Sequence, residues 1–173
     1  IGMPCVGPSQ LIRREFTLEK EIESARVYVA GLGYYELYLN GLKQGVHVLD
    51  PGYTNYSERV FYVTYDVTEA LVKGENCIGV MLGMGWHKHP EFILQMYVVY
   101  ADGSEFSLCT QPVSWDMFTG PITYNNIYSG EHYDYRFEVE GWCRVNPDII
   151  KEHPRKGWEV YANFMPWPGS EED

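Results

Sequence analysis

No segment of twelve or more residues repeats its apolar side chains at helical spacing, whereas short runs alternating apolar and polar residues recur as far as residue 139. An alternating run buries one face of a strand and can hide that face only against a second layer, so the chain must build sheets. The clearest run is YYELYLN (residues 34–40), with Tyr35, Leu37 and Leu39 on one face. Asn40-Gly41 follows it, and a type I′ turn requires positive φ at both central residues, which Asn and Gly supply best. A return strand is expected over residues 42–49. Further strands are expected at 14–18, 25–32, 59–67, 76–82, 92–100, 104–110, 122–128 and 133–139. Ala101-Asp102-Gly103 marks a second hairpin, Thr68 is placed to cap one helical turn, and Gly74 is placed to end it. Short strands joined by Gly-, Pro- and Asn-rich turns predict an all-β fold with little helix. Its expected form is a two-sheet antiparallel β-sandwich of the jelly-roll kind.

Charge and composition remove several function classes. The formal net charge is −11, from 13 basic and 24 acidic side chains, and no Lys/Arg run offsets it. Phosphate backbones repel such a chain, so no nucleic-acid partner is expected, while an uncharged or cationic partner or a divalent metal is compatible. No apolar run approaches the roughly 20 residues of a membrane helix, so no membrane partner is expected. The chain opens Ile1-Gly2-Met3-Pro4, with no basic segment leading into an apolar one, and no signal peptide is expected within it. Cys5, Cys77, Cys109 and Cys143 are too scattered for a zinc finger or a CxxC motif, and they leave the compartment open. The 15 Tyr and 5 Trp suit half-buried strand faces and sugar-gripping surfaces equally.

Several segments, taken in order, resemble one family. ARVYVAGLGYYELYLNG (residues 25–41), LDPGYTNYSERVFYVTYDVTEAL (49–71) and KGENCIGVMLGMGW (73–86) look like the N-terminal domain of bacterial α-L-rhamnosidases, the family 78 glycoside hydrolases. DGSEFSL (102–108), VSWD (113–116), GPITYNNIYSGEHYDYR (120–136) and EGW (140–142) continue the series. The stretch after Trp86 (His87-Lys88-His89-Pro90) is shorter than the glycine-rich loop of the family pattern. YDVTEALVKGEN also resembles the sugar-binding sandwiches of β-galactosidase-type enzymes, which implies a galactose-binding-like fold. The resemblance implies a β-sandwich over residues 10–142. Residues 143–173, punctuated by Pro147, Pro154, Pro166 and Pro168, are then an irregular extension or linker able to pack on the sandwich. It further implies an accessory, carbohydrate-binding role beside an α/α-barrel that hydrolyses terminal α-L-rhamnose with inversion and is absent from these residues. For the parent enzyme the resemblance leans towards a periplasmic or secreted setting. The partners implied are the catalytic and other domains of the same polypeptide, and rhamnose-containing glycans. The alternative is a structural interdomain module that binds no ligand.

No catalytic residue is assigned. Inverting hydrolysis needs two carboxyl groups about 6.5–9.5 Å apart. Glu131 and Asp134 are the most suggestive pair, but strand alternation sends them to opposite sides, where bonds to loop backbone or to a neighbouring domain serve them better. Trp86, in a GMGW loop whose Gly83 and Gly85 allow turns that a Cβ would forbid, is either a sugar platform or the anchor of its own loop, and Tyr53 and Tyr56 invite the same two readings. With Glu131 these three are the candidate carbohydrate contacts. Some relatives implied by the resemblance bind rhamnose with the help of calcium, the family 67 carbohydrate-binding modules. Calcium needs six to eight oxygens, and Asn40, Asp50 and Asn55 are the candidate donors. His87 and His89 form an HxH pair without a third zinc ligand. Asp66 and Asn76 bracket the helical turn and suit local backbone bonding.

Overall fold

The computed structural model describes residues 7–87, 90–111, 114–146 and 148–149, which form eleven strands and two short 3-10 turns. The strands are β1 (Gln10–Leu18), β2 (Ile22–Leu32), β3 (Tyr34–Leu39), β4 (Leu42–Lys43), β5 (Tyr62–Asp66) and β6 (Gly74–Gly83). They continue with β7 (Glu91–Tyr100), β8 (Glu105–Cys109), β9 (Asp116–Thr119), β10 (Ile122–Asn126) and β11 (Gly130–Tyr133). One sheet has the order β4-β3-β6-β1-β9 and the other β5-β2-β7-β8, while β10 and β11 pair as a separate hairpin. Every pairing is antiparallel, and the chain passes repeatedly between the two large sheets, as a jelly-roll-type sandwich requires.

The core lies between the inner faces of the two sheets. Tyr35, Leu37 and Leu39 of β3 are buried as their alternation requires, beside Ile78, Val80 and Leu82 of β6. Val27 and Val29 of β2 and Phe92, Leu94, Met96 and Val98 of β7 close over them from the second sheet. Each such side chain contributes about 1.5–3 kcal/mol when fully buried. Asn40 (φ 50°) and Gly41 (φ 85°) make the expected turn.

Several expected elements change shape. The return strand after Gly41 is only Leu42–Lys43, because the following residues leave the sheet as an exposed loop with Val46 and Val48 in solvent. Strand character at 59–67 is confined to Tyr62–Asp66, and that at 133–139 stops at Tyr133. Asp134 there accepts from the Arg136 amide and starts a 3-10 turn over Tyr135–Phe137. Asp66, more than Thr68, organises the other turn (Thr68–Ala70), since its carboxylate accepts from the Thr68 amide and hydroxyl. Gly74 (φ 106°) is the first residue of β6. Strand β9 is an addition to the expected set. β1 also begins four residues earlier than expected, with the fully buried Arg13 in its middle.

The outer face of the five-stranded sheet carries a second packing layer. Residues 139–146, with 148 and 149, cross it as a strap. Val139 and Ile149 form a small cluster there with Leu11 of β1 and Phe118 of β9, and Met81 and Trp142 pack beside it. Strand register explains where the strap seats. Gly79 lies between Arg13 on one neighbour and Tyr38 on the other, and its missing side chain leaves a slot. Trp142 fills that slot, edge-on to Tyr38 at 5.1 Å, and a Cβ on Gly79 would stand 2.5 Å from the indole Cζ3. Arg13 donates to the carbonyls of Arg144 (2.9 Å) and Asn146 (3.2 Å), and it ion-pairs with Glu15. Glu15 in turn accepts from the Asn146 amide at 2.8 Å. A buried guanidinium thus meets carbonyls that water would otherwise have to satisfy.

Candidate functional site

Three loops meet at one end of the sandwich. The loop after β6 packs glycine against glycine on the β2–β3 turn. A Cβ on Gly33 (φ 111°) would lie 2.6 Å from the Gly83 carbonyl, and one on Gly85 would lie 2.9 Å from the Gly33 Cα. Only glycine lets the two backbones approach this closely. The approach sets Trp86 beside Tyr53 (ring centroids 5.6 Å apart) and edge-on to Tyr128 (5.1 Å). Tyr53 in turn meets Tyr56 at 5.4 Å, and Tyr56 meets His87 at 5.8 Å. Such tilted and edge-on pairs are the favoured aromatic geometries. Tyr53 is 58% exposed and Tyr128 68% exposed, whereas Trp86 and Tyr56 are half-buried between them. Burial raises the Tyr56 hydroxyl above its ordinary value, and the Gly33 backbone opposes that shift.

A cleft of about 640 Å³ adjoins this end on the outer face of the five-stranded sheet. Tyr34, Glu36 and Tyr38 of β3 and Met81 of β6 form its floor, and Leu49 and Glu131 stand on its walls. The turn of the β10–β11 hairpin joins the two features, because Ile127 and Gly130 line the cleft while Tyr128 touches Trp86. Two asparagines build that corner. Asn125 accepts from the Met84 amide at 2.6 Å and donates to the Gly7 carbonyl, while Asn126 accepts from the amides of Tyr128 and Ser129. Glu36 is held by Lys43 and accepts from the Tyr38 hydroxyl at 2.8 Å.

The structure therefore brings Tyr53, Tyr56 and Trp86 together and sets Glu131 in the neighbouring cleft. It also adds Tyr128, whose place in the cluster no alternation or turn signal announced. Asp134 is committed elsewhere. It is bound bidentately by Arg136, which holds its carboxyl below the ordinary value, so it forms no acid–base pair with Glu131. The three proposed calcium donors do not converge. Asn40 accepts from the Cys77 amide and donates to the Ala70 carbonyl and to Asn76, which engages its whole amide group. Asp50 bridges to Tyr35 at the other end of β3, about 16 Å away by strand rise, and its carboxylate accepts from Tyr65. Asn55 accepts from Ser57 within its own loop. These residues do not fit a calcium cage. Among the described residues, no group of three or more His, Cys, Asp or Glu side chains can hold a metal ion. His89 lies outside the described residues, so the HxH pair does too. Asn76 accepts from the Val72 amide and donates to the Val72 and Gly74 carbonyls, which is local backbone bonding.

Two antiparallel sheets face to face, with loops gathered into an aromatic end, define a jelly-roll-type β-sandwich domain. The family model for the alpha-L-rhamnosidase N-terminal domain matches residues 20–160, and the chain belongs to that family. An alpha-L-rhamnosidase of Formosa agariphila is 42% identical over 154 residues, covering 79% of this chain and 16% of that protein. Among solved structures, an alpha-L-rhamnosidase from Dictyoglumus thermophilum matches with a TM-score of 0.80 and 41% identity, over 84% of this chain and 17% of the other. The Streptomyces avermitilis alpha-L-rhamnosidase, solved in complex with L-rhamnose, matches with a TM-score of 0.74 and 35% identity, over 80% and 15%. The chain thus spans about one-sixth of the length of these relatives.

Proposed function

We propose that this domain serves a longer α-L-rhamnosidase polypeptide as an accessory, carbohydrate-contacting module, with the hydrolytic carboxyl groups supplied by another domain. The observation that carries the reading is Trp86 braced between the exposed rings of Tyr53 and Tyr128, beside a cleft with both apolar and polar walls. Rhamnose has a methyl group at C5 and an apolar ring face, which suit aromatic side chains, and hydroxyls that suit Glu131 at the cleft wall. Release of terminal α-L-rhamnose belongs, in this reading, to the rest of the polypeptide. The commitment of Asp134 to Arg136 supports that division of labour.

The test is a titration of the chain with L-rhamnose, followed by the tryptophan indole resonances. Saturable shifts in the millimolar range, weakened about tenfold or more by Trp86→Leu, are expected. Incubation of the chain with an aryl α-L-rhamnoside is expected to release no product. An absence of indole shifts would favour the second reading, a structural module that only docks onto its neighbours. One observation speaks for that reading: Leu42, Val46, Val48 and Leu49 are all more than half exposed along one edge of the five-stranded sheet.

A further inference from the structure

One side-chain amide ties together the segments that carry Trp86 and Tyr128. Asn125 of β10 accepts from the Met84 amide at 2.6 Å through its Oδ1. Its Nδ2 donates to the Gly7 carbonyl at 2.8 Å and to the Ser9 hydroxyl at 3.1 Å, and its backbone amide donates to the same Gly7 carbonyl at 2.9 Å. Glycine leaves room for this contact, since a Cβ on Gly83 would stand 3.3 Å from the Asn125 Oδ1. Met84 lies two residues before Trp86, and Asn125 three residues before Tyr128. The buried Asn126 completes the corner, because its Oδ1 accepts from the amides of Tyr128 and Ser129 and from the Ser129 hydroxyl. The β10–β11 hairpin belongs to neither large sheet, so no strand ladder with β6 sets its place beside Trp86.

We propose that Asn125 is a positioning residue for the carbohydrate contact. It couples the loop after β6 to the β10–β11 hairpin, so that Trp86 and Tyr128 meet a sugar as one braced ring pair, 5.1 Å apart. The inference rests on the carbohydrate-contacting reading above and adds the residue through which the two rings act together. Rings on two independently moving loops would have to be ordered by the sugar itself, and that ordering lowers affinity; a clamp made in the free domain removes the cost beforehand. The corner needs an acceptor for one amide and donors for a carbonyl and a hydroxyl at a single point. A side-chain amide supplies both, whereas a carboxylate supplies acceptors alone and an alkyl group neither.

Two measurements on the chain test this: nuclear Overhauser contacts between the rings of Trp86 and Tyr128, and titration with L-rhamnose. Asn125→Ala and Asn125→Asp should lose the ring contacts and weaken rhamnose binding about tenfold. Asn125→Asp keeps the shape of the side chain and the acceptor for Met84 but turns an oxygen towards the Gly7 carbonyl, so it carries the test if Asn125→Ala does not fold. Asn40→Ala removes an amide clamp from the far end of β3. It should lower the thermal midpoint while leaving the ring contacts and the rhamnose response intact. Ring contacts that persist in Asn125→Asp, or that vanish equally in Asn40→Ala, would overturn the assignment, as would their loss with rhamnose affinity unchanged. A wild-type chain indifferent to rhamnose would overturn the carbohydrate reading itself, whereas the ring contacts of the variants still decide whether Asn125 couples the two loops.

Discussion

Trp142 and Trp86 make the same edge-on contact with a tyrosine, each at 5.1 Å, yet they sit in opposite kinds of surroundings. Trp142 occupies a slot set by strand register, over a glycine and beside a buried arginine whose hydrogen bonds end on the strap. Trp86 rests on loops and has exposed rings on both sides. The first arrangement spends its aromatic surface on holding the fold. The second leaves aromatic surface available for contact. An aromatic side chain next to glycines is therefore not by itself a sign of a binding site; what surrounds the ring decides.

The largest effect that sharpens this contrast should come from Arg13→Met. It leaves two strap carbonyls and Glu15 without their cation and should cost about 3 kcal/mol in urea-unfolding free energy. Next comes Gly79→Ala, whose methyl group collides with the Trp142 ring and should cost about 1–3 kcal/mol. Its tryptophan fluorescence should move towards that of an exposed indole, and an unchanged spectrum would mean that the strap does not depend on the slot. Trp86→Leu should cost less than about 1 kcal/mol while weakening the rhamnose response about tenfold or more, because it lies on loops beside exposed rings. A destabilisation as large as that of Gly79→Ala would break the contrast and make Trp86 a structural anchor. The smallest effect lies outside both regions. Asp66, Asp102 and Asp134 are held below the ordinary 3.8 by bonds from Thr68, Lys20 and Arg136 respectively. Whatever stability they add is present above about pH 4 and is lost as pH falls through their lowered values. Asp66 and Asp102 are exposed and Asp134 is partly so, each with its partner at the surface, so the urea midpoint should fall only slightly between pH 5 and pH 3, and added salt should shrink the change.

Alternation made β3 and its turn legible, because each inward position was apolar and Asn40-Gly41 tolerates positive φ. Most other strands were legible to within a few residues. The start of β1 was not, since a charged Arg13 reads as surface until the strap's carbonyls are known to lie over it. β9 was missed because DMFT is too short to show a period and gains its stability by pairing with β1. At the aromatic end, the loops carrying Tyr53, Tyr56 and Trp86 were singled out from sequence, but Tyr128 was not, as its place depends on where the β10–β11 hairpin lies. The calcium donors were misread for a related reason. Asn40 carries the right oxygen, yet its amide is already used to lock the β3 turn to β6.

The chain's own order of residues decided that two antiparallel sheets form, which side of each strand faces inward and where the tightest turn falls. These are consequences of near-neighbour spacing and φ preference. Tertiary structure alone decided that a glycine in β6 receives a tryptophan from 63 positions away, as the register of Gly79 and Trp142 implies. It also decided that the Cys143 thiol meets the backbone carbonyls of Tyr38 and Cys77 and that four aromatic rings share one end of the sandwich. Such meetings depend on strand register and sheet order, which bring together residues that no local pattern connects.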